Sequence, residues 1–175
     1  LSNKAILLSN LKKGAMELAL SEVEAKEIFE NAMRNVPQSL LHKNIKVEMK
    51  DDESIVMDVD EKLVTTSLTY LLDNAHRFSP KESKITVFAL KDPDGKVRIN
   101  VMDSGPGIPE SRLNTLFDAF GVQDVAHHGR GHGLSLAIVK HIMTLHHGKV
   151  AVENNSNGPG CIISLIFPEE SLKNS

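Results

Sequence analysis

The chain has 175 residues, 41% of them hydrophobic and 25% charged, with a net charge of −3 at neutral pH. This fits one compact globular domain and excludes a disordered or low-complexity chain. The slight acidity gives no case for nucleic acid or a membrane surface, no apolar run reaches the roughly 18 residues of a membrane helix, and the lone Cys161 excludes an intrachain disulfide.

No signal peptide pattern is present, and the first residue is Leu, so the chain is expected to be a piece of something longer. Residues 1–19 carry Leu1, Ala5, Leu8, Leu11, Ala15 and Leu18 at helical spacing, as the end of a longer helix would. Residues 22–36 are again helical, with Val23, Ile28, Phe29, Ala32 and Met33, and Pro37 closes them. Short strands follow at 45–49 and 55–57, parted by the acidic turn Asp51-Asp52-Glu53. The clearest helix spans 60–78 and ends at Ser79-Pro80. Strands at 85–90 and 96–102 are joined by the hairpin turn Asp92-Pro93-Asp94-Gly95. Residues 110–120 look helical, and 121–133 look like a mobile loop. A buried helix at 134–145 is closed by Gly148, and strands at 150–153 and 161–166 complete the chain. The mixture predicts an α+β fold: one mixed, mostly antiparallel sheet with helices on one face.

Three segments carry candidate chemistry. The strand through Val101 ends at Asp103-Ser104-Gly105-Pro106-Gly107-Ile108-Pro109. An ionised Asp only accepts hydrogen bonds, which suits an amino group, and glycine lets a flat ligand approach the backbone. The same residues also make an ordinary turn. In the long helix, Tyr70, Asn74 and Arg77 share a face. Asn is a poor helix-interior residue. Its amide oxygen can bind Mg²⁺, and Arg77 can pair with a phosphate. The plain alternative is a polar residue near a frayed end. Third, Gly129-Arg130-Gly131-His132-Gly133-Leu134 runs into an apolar helix, whose free N–H groups suit phosphate. It lacks the Lys of a P-loop and the third glycine of a dinucleotide fingerprint, so it is either another kind of phosphate loop or a flexible lead-in.

In order and spacing these segments resemble the ATP-binding domain of sensor histidine kinases, within the group that includes DNA gyrase and mismatch-repair ATPases. Residues 71–80 resemble its asparagine box, and 103–109 its first glycine box. Leu116-Phe117-Asp118-Ala119-Phe120 resembles its phenylalanine box, 131–140 its second glycine box, and Gly158-Pro159-Gly160-Cys161 its last strand. The resemblance implies a two-layer α/β sandwich with ATP between helices and sheet. Asn74 would bind Mg²⁺ and, with Arg77, act in catalysis. Asp103 would hold the adenine amino group, with Gly105, Gly107 and Ile108 shaping the pocket. Gly131, His132, Gly133 and Leu134 would cradle phosphates. Residues 106–130 would form a lid anchored by Phe117 and Phe120.

The resemblance also implies a domain plan: 1–20 as a dimerisation-helix tail and linker, 21–170 as the ATP-binding domain, and 171–175 as a tail. The phosphoacceptor His would lie upstream. The implied partners are a response regulator and the parent's own dimerisation domain in a homodimer. Nucleic acid and membrane contact are not expected of this chain, and the expected location is the cytoplasm, below an anchored parent if there is one. His127, His128 and His132 are read as exposed loop histidines rather than a zinc site. Two residues depart from the family pattern. Tyr70 stands where a polar residue is usual, and it is no base at neutral pH; Ser135 stands where Gly is usual. These departures keep two alternatives open: a nucleotide-binding switch with little kinase activity, and a serine kinase of the anti-sigma-factor type.

Overall fold

The computed structural model describes residues 3–14, 16–50, 54–118 and 132–171, with only the backbone of His132 and Gly133. Its elements are α1 (Asn3–Lys12), β1 (Leu20–Glu24), α2 (Ala25–Arg34), a 3₁₀ turn (Gln38–Lys43), β2 (Lys46–Lys50), β3 (Val56–Asp60), α3 (Glu61–Phe78), β4 (Lys84–Lys91), β5 (Val97–Met102), α4 (Glu110–Leu113), α5 (His132–Leu145), β6 (Lys149–Asn154) and β7 (Cys161–Phe167).

Five strands form one sheet in the order β2-β4-β5-β7-β6. Only the β2–β4 pair is parallel; the other pairs are antiparallel. Period-two alternation gives the sheet its buried face: Ile85, Val87, Val97, Ile99, Val101, Ile163, Leu165 and Phe167 all join the main core. Against that face pack Ile28 and Phe29 of α2, Leu68, Leu71 and Leu72 of α3, and Val139 and Met143 of α5. The expected two-layer α+β sandwich is the observed architecture.

Helix α5 is apolar on two sides. One side meets the sheet; on the other, Leu134, Ala137, Ile138 and Ile142 form a second core with Leu8 and Leu11 of α1 and Leu63 of α3. A helix that is hydrophobic all round needs cover on both sides, and α1 supplies the outer cover.

Several expectations are corrected. The first helix does not run through 19. It ends at Lys12, because Gly14 takes φ +63° and its N–H returns to the Leu11 carbonyl, a left-handed stop. Residues 22–36 are not one helix: β1 occupies 20–24 and pairs antiparallel with β3 in a separate two-stranded sheet. Only Val23 of β1 is buried, so no alternation marks the strand in the sequence. Among the described residues of the predicted helix at 110–120 there is a single turn, Glu110–Leu113, which gives way to turns through Phe117. The helix predicted from 134 begins two residues earlier, at His132. Its left-handed closing residue is His147 (φ 57°), not Gly148. Gly148 is required for a different reason: a Cβ there would run into the Ile166 carbonyl oxygen and the Met143 side chain. The turn at 51–53, the loop at 121–131, the zinc question at His127 and His128, and the tail at 172–175 lie outside the described residues.

Two sets of polar contacts fix α3. At its start, Asp60 Oδ1 accepts from the Leu63 N–H (3.0 Å) and Oδ2 from the Ala19 N–H (2.9 Å). At its end, the Lys43 ammonium donates to the carbonyls of His76, Arg77 and Ser79 at 2.9, 2.7 and 3.1 Å, capping the negative end of the helix. His146 joins the same framework. Its Nδ1–H donates to the Ile142 carbonyl (2.8 Å), and its Nε2 accepts from the Asp60 N–H (3.1 Å), so the neutral ring is required.

Burial holds the His146 pKa below its ordinary value, partly offset by the Ile142 carbonyl and Asp60. The unfolded chain therefore binds the proton more readily than the folded one. The stability His146 supplies is full above about pH 6.5 and is lost as pH falls from there toward the folded value. Urea midpoints at pH 7.5 and 5.5 will show a larger acid loss in the wild type than in His146→Gln, by up to about 1.4 kcal/mol. Gly148→Ala will destabilise the fold by about 1–3 kcal/mol in the same assay, as overpacking does.

Candidate functional site

A cavity of about 410 Å³ lies between α3, the C-terminal end of β5 and the segment that follows it. Its apolar wall includes Leu71, Val101, Ile108, Leu136 and Ile163, and its polar groups include Asn74 and Asp103. A mostly apolar cleft with a few placed polar groups is the usual form of a small-molecule site. A wider groove at the start of α3, between Arg34 and Thr66, is open to solvent and holds none of the residues singled out in the sequence.

Asp103 is held where the sheet ends. Its N–H donates to the Cys161 carbonyl (3.0 Å), continuing the β5–β7 ladder one step past Met102 and Ile162. Its Oδ1 accepts from the N–H of Gly105 (2.9 Å) and of Cys161 (3.1 Å). Oδ2 accepts only the Cys161 thiol (3.1 Å) among the described partners, which leaves it acceptor capacity toward the cavity. Burial, and then the Asp103 charge, push the Cys161 thiol well above its ordinary pKa, so it remains a protonated donor.

The glycines act by what they leave empty. A Cβ at Gly160 would collide with the backbone of Asp103. At Gly105 it would come within 3.0 Å of the Phe78 carbonyl oxygen, and at Gly107, which has φ +81°, within 2.9 Å of Asn154 Oδ1. Asn154 fixes the far wall: Ile108 N–H donates to its Oδ1 (2.8 Å), and its Nδ2 donates to the Ile108 carbonyl (2.9 Å). Nothing in the sequence distinguishes Asn154 from an ordinary turn residue. Ser79 marks the helix end in the sequence without announcing this contact: its Oγ accepts from the Ser104 N–H (3.1 Å) and ties the end of α3 to the turn.

The structure thus brings Asn74, Asp103, Gly107 and Ile108 to one cavity, with Gly105 buried beneath. Arg77 is not a lining residue. Its Nε donates to Asp73 Oδ2 at 3.0 Å, an i,i+4 pair at the rim. The Leu134 side chain points into the α1 cluster instead of the cavity, and its neighbour Leu136 is the one that lines it. His132 and Gly133 form the first turn of α5. Phe117 packs against the main core, while Phe120 and Gly131 lie outside the described residues. Tyr70 is half-buried, and burial, then Asp73, push its pKa above the ordinary value, which removes it further from service as a base.

This arrangement suits a ligand with a planar, partly apolar body, an amino group for Asp103 and a polar tail running toward Asn74 and the start of α5. The chain is similar to the sensor histidine kinase YkoH of Bacillus subtilis, 30% identical over 173 residues, which are 98% of this chain and 37% of that protein. The chain therefore spans little more than a third of that relative's length. The catalytic domain of the histidine kinase ThkA is 27% identical with a TM-score of 0.74, covering 88% of this chain and 97% of that one. Full-length ShkA, solved in complex with AMPPNP, shares the fold with a TM-score of 0.84 at 23% identity, covering 99% of this chain and 36% of that one. The family described as histidine kinase-, DNA gyrase B-, and HSP90-like ATPase matches residues 59–171. With more than half of its length inside that match, the chain belongs to the histidine kinase-, gyrase B- and HSP90-like ATPases.

Proposed function

We propose that the chain is the ATP-binding catalytic module of a two-component sensor histidine kinase. It would transfer the γ-phosphoryl group of ATP to a histidine on a dimerisation domain outside this chain. The observation that carries the reading is the Asp103 carboxylate, fixed by two backbone N–H groups at the end of an apolar cavity with Asn74 on another wall. The binding of AMPPNP by full-length ShkA supports it.

In this reading Asp103 accepts from the adenine amino group, while Gly105, Gly107 and Ile108 shape the slot for the ring. The backbone N–H groups of Gly131, His132, Gly133 and Leu134 hold phosphate oxygens at the positive end of α5. Asn74 offers its amide oxygen to Mg²⁺, which would neutralise charge on the phosphates during transfer. Arg77, released from Asp73, would add a second cation. Phe120 would anchor the lid. Catalysis by such a site is positioning and charge stabilisation, and Tyr70 limits wasteful hydrolysis because it cannot activate water.

The organisation that follows has residues 1–20 as the tail of a dimerisation helix and linker, 21–170 as the ATP-binding domain and 171–175 as a tail. The parent would be a homodimer that passes its phosphoryl group to a response regulator. No helix among the described residues is long and apolar enough to cross a membrane. The reading places the module in the cytoplasm, with any anchor elsewhere in the parent.

Titration with Mg²⁺·ATP tests the assignment. Asp103→Asn keeps an oxygen for Gly105 and Cys161 but replaces the other acceptor with a donor. It will weaken ATP by about 2 kcal/mol or more, near 30-fold, with little change in thermal midpoint. Unchanged binding would remove Asp103 from its role.

A further inference from the structure

Lys4 sits on α1, outside the family match, and its side chain meets α3 and α5 at two residues, Tyr70 and Ser135, that stand beside the cavity lining without belonging to it. The ammonium donates to Ser135 Oγ at 2.7 Å and stands 4.8 Å from the centre of the Tyr70 ring. These are the two residues that depart from the family pattern, and one lysine touches both. Tyr70 lies one turn before Asn74 on the same face of α3. Ser135 lies in the opening turns of α5, next to the cavity residue Leu136. The Leu8 and Leu11 contacts with Leu134, Ala137 and Ile138 lock α1 in this register, so the position of Lys4 follows from packing.

The electrostatics of this seat are unusual. Among the described residues the contacts of the ammonium are a neutral hydroxyl and a ring face, both weaker than a carboxylate partner. Burial lowers the Lys4 pKa, with Asp73 opposing and Arg77 adding to the effect. The half-buried cation is therefore under-neutralised, at the place where a polyanion would run from Asp103 past Asn74 toward α5. Ser135 and Tyr70 crowd the positions they occupy, but together they hold this cation.

We infer that Lys4 is a phosphate-binding residue of the nucleotide site, supplied by the preceding helix and seated by Ser135 and Tyr70. This rests on the ATP reading of the cavity. Binding of the nucleotide tail then also strengthens the docking of α1 on α5, since the same ammonium serves both.

The test is calorimetric titration of the 175-residue chain with Mg²⁺·ATP, ADP and adenosine. It compares the wild type with Lys4→Gln, Lys4→Arg and Ser135→Ala. Lys4→Gln is expected to weaken Mg²⁺·ATP about tenfold or more, weaken ADP less and leave adenosine unchanged. Lys4→Arg should keep most of the affinity, and Ser135→Ala should lose part of it. A purely structural role for Lys4 would move all three ligands together. Wild-type affinity for Mg²⁺·ATP in Lys4→Gln overturns the inference, and tighter binding overturns it in favour of a plug. A wild-type chain that binds neither adenosine nor ATP would instead defeat the nucleotide reading of the cavity itself.

Discussion

The site depends on one extra rung of β-sheet. The β5–β7 ladder does not stop at its last strand residues: the Asp103 N–H meets the Cys161 carbonyl, and the Cys161 N–H meets the Asp103 side chain. The backbone and the carboxylate of the same residue are thus fixed by one partner. A carboxylate on a free loop would lose several rotamers' worth of entropy on binding a ligand; this one has lost them on folding. The arrangement needs two chains of backbone to approach closely, which is why Gly160 carries no side chain. The sheet thereby delivers a preorganised acceptor to the end of an apolar cleft, and Oδ2 keeps acceptor capacity because its neighbour is a weak thiol donor.

The second requirement is that α3 and α5 present their polar ends to that cleft without drifting. For α3 the two ends are fixed separately, by Asp60 at the start and the Lys43 ammonium at the finish. For α5 the constraint is burial on both faces, with the sheet on one side and α1 on the other. Burying each of Leu8 and Leu11 contributes about 1.5–3 kcal/mol before the cost of ordering the segment. That is enough to hold one short helix and weak enough to be reversed by a competing partner. Asp60 links the two halves of this framework, because its side chain caps α3 and holds Ala19 while its N–H meets His146 at the end of α5.

The long helix at 61–78, the 84–102 hairpin and the β7 strand were legible because their apolar periodicity is strong and their turns carry Asp, Gly and Pro. The strand β1 was not, because its first apolar residue, Leu20, is exposed, only Val23 is buried, and its pairing with β3 is a tertiary fact. The helix at the start of the chain was overextended for the opposite reason: leucines continue past Gly14, and Leu18 still packs on the second core without being helical. In the site, Asn74 stood out because Asn is a poor helix-interior residue, and Asp103, Gly105 and Gly107 because a carboxylate beside glycines suits a flat ligand and their run resembles a known box. Asn154, Ser79 and Lys43 did not, since an amide, a hydroxyl or an ammonium that reaches a carbonyl or an N–H some 25 to 46 residues away leaves no local pattern.

The shared helix face brings Asn74 to the cavity but does not bring Arg77 there. Both lie on the face that Tyr70 begins, but Asp73, one residue before Asn74, is almost fully buried and takes the guanidinium in an i,i+4 pair. A buried carboxylate without a partner costs several kcal/mol, so Asp73 holds Arg77 strongly while no anion competes. In the proposed reading a phosphate arriving near Asn74 would face the same carboxylate and compete with it for Arg77, so a further cation nearby would relieve the repulsion. Two cations stand near it: Arg77 on the helix itself and Lys4 over the ring of Tyr70. If Lys4 binds phosphate as inferred, Asp73 sets how much positive charge that end of the site must carry, and the α1 helix becomes part of the electrostatic balance of a pocket it does not line.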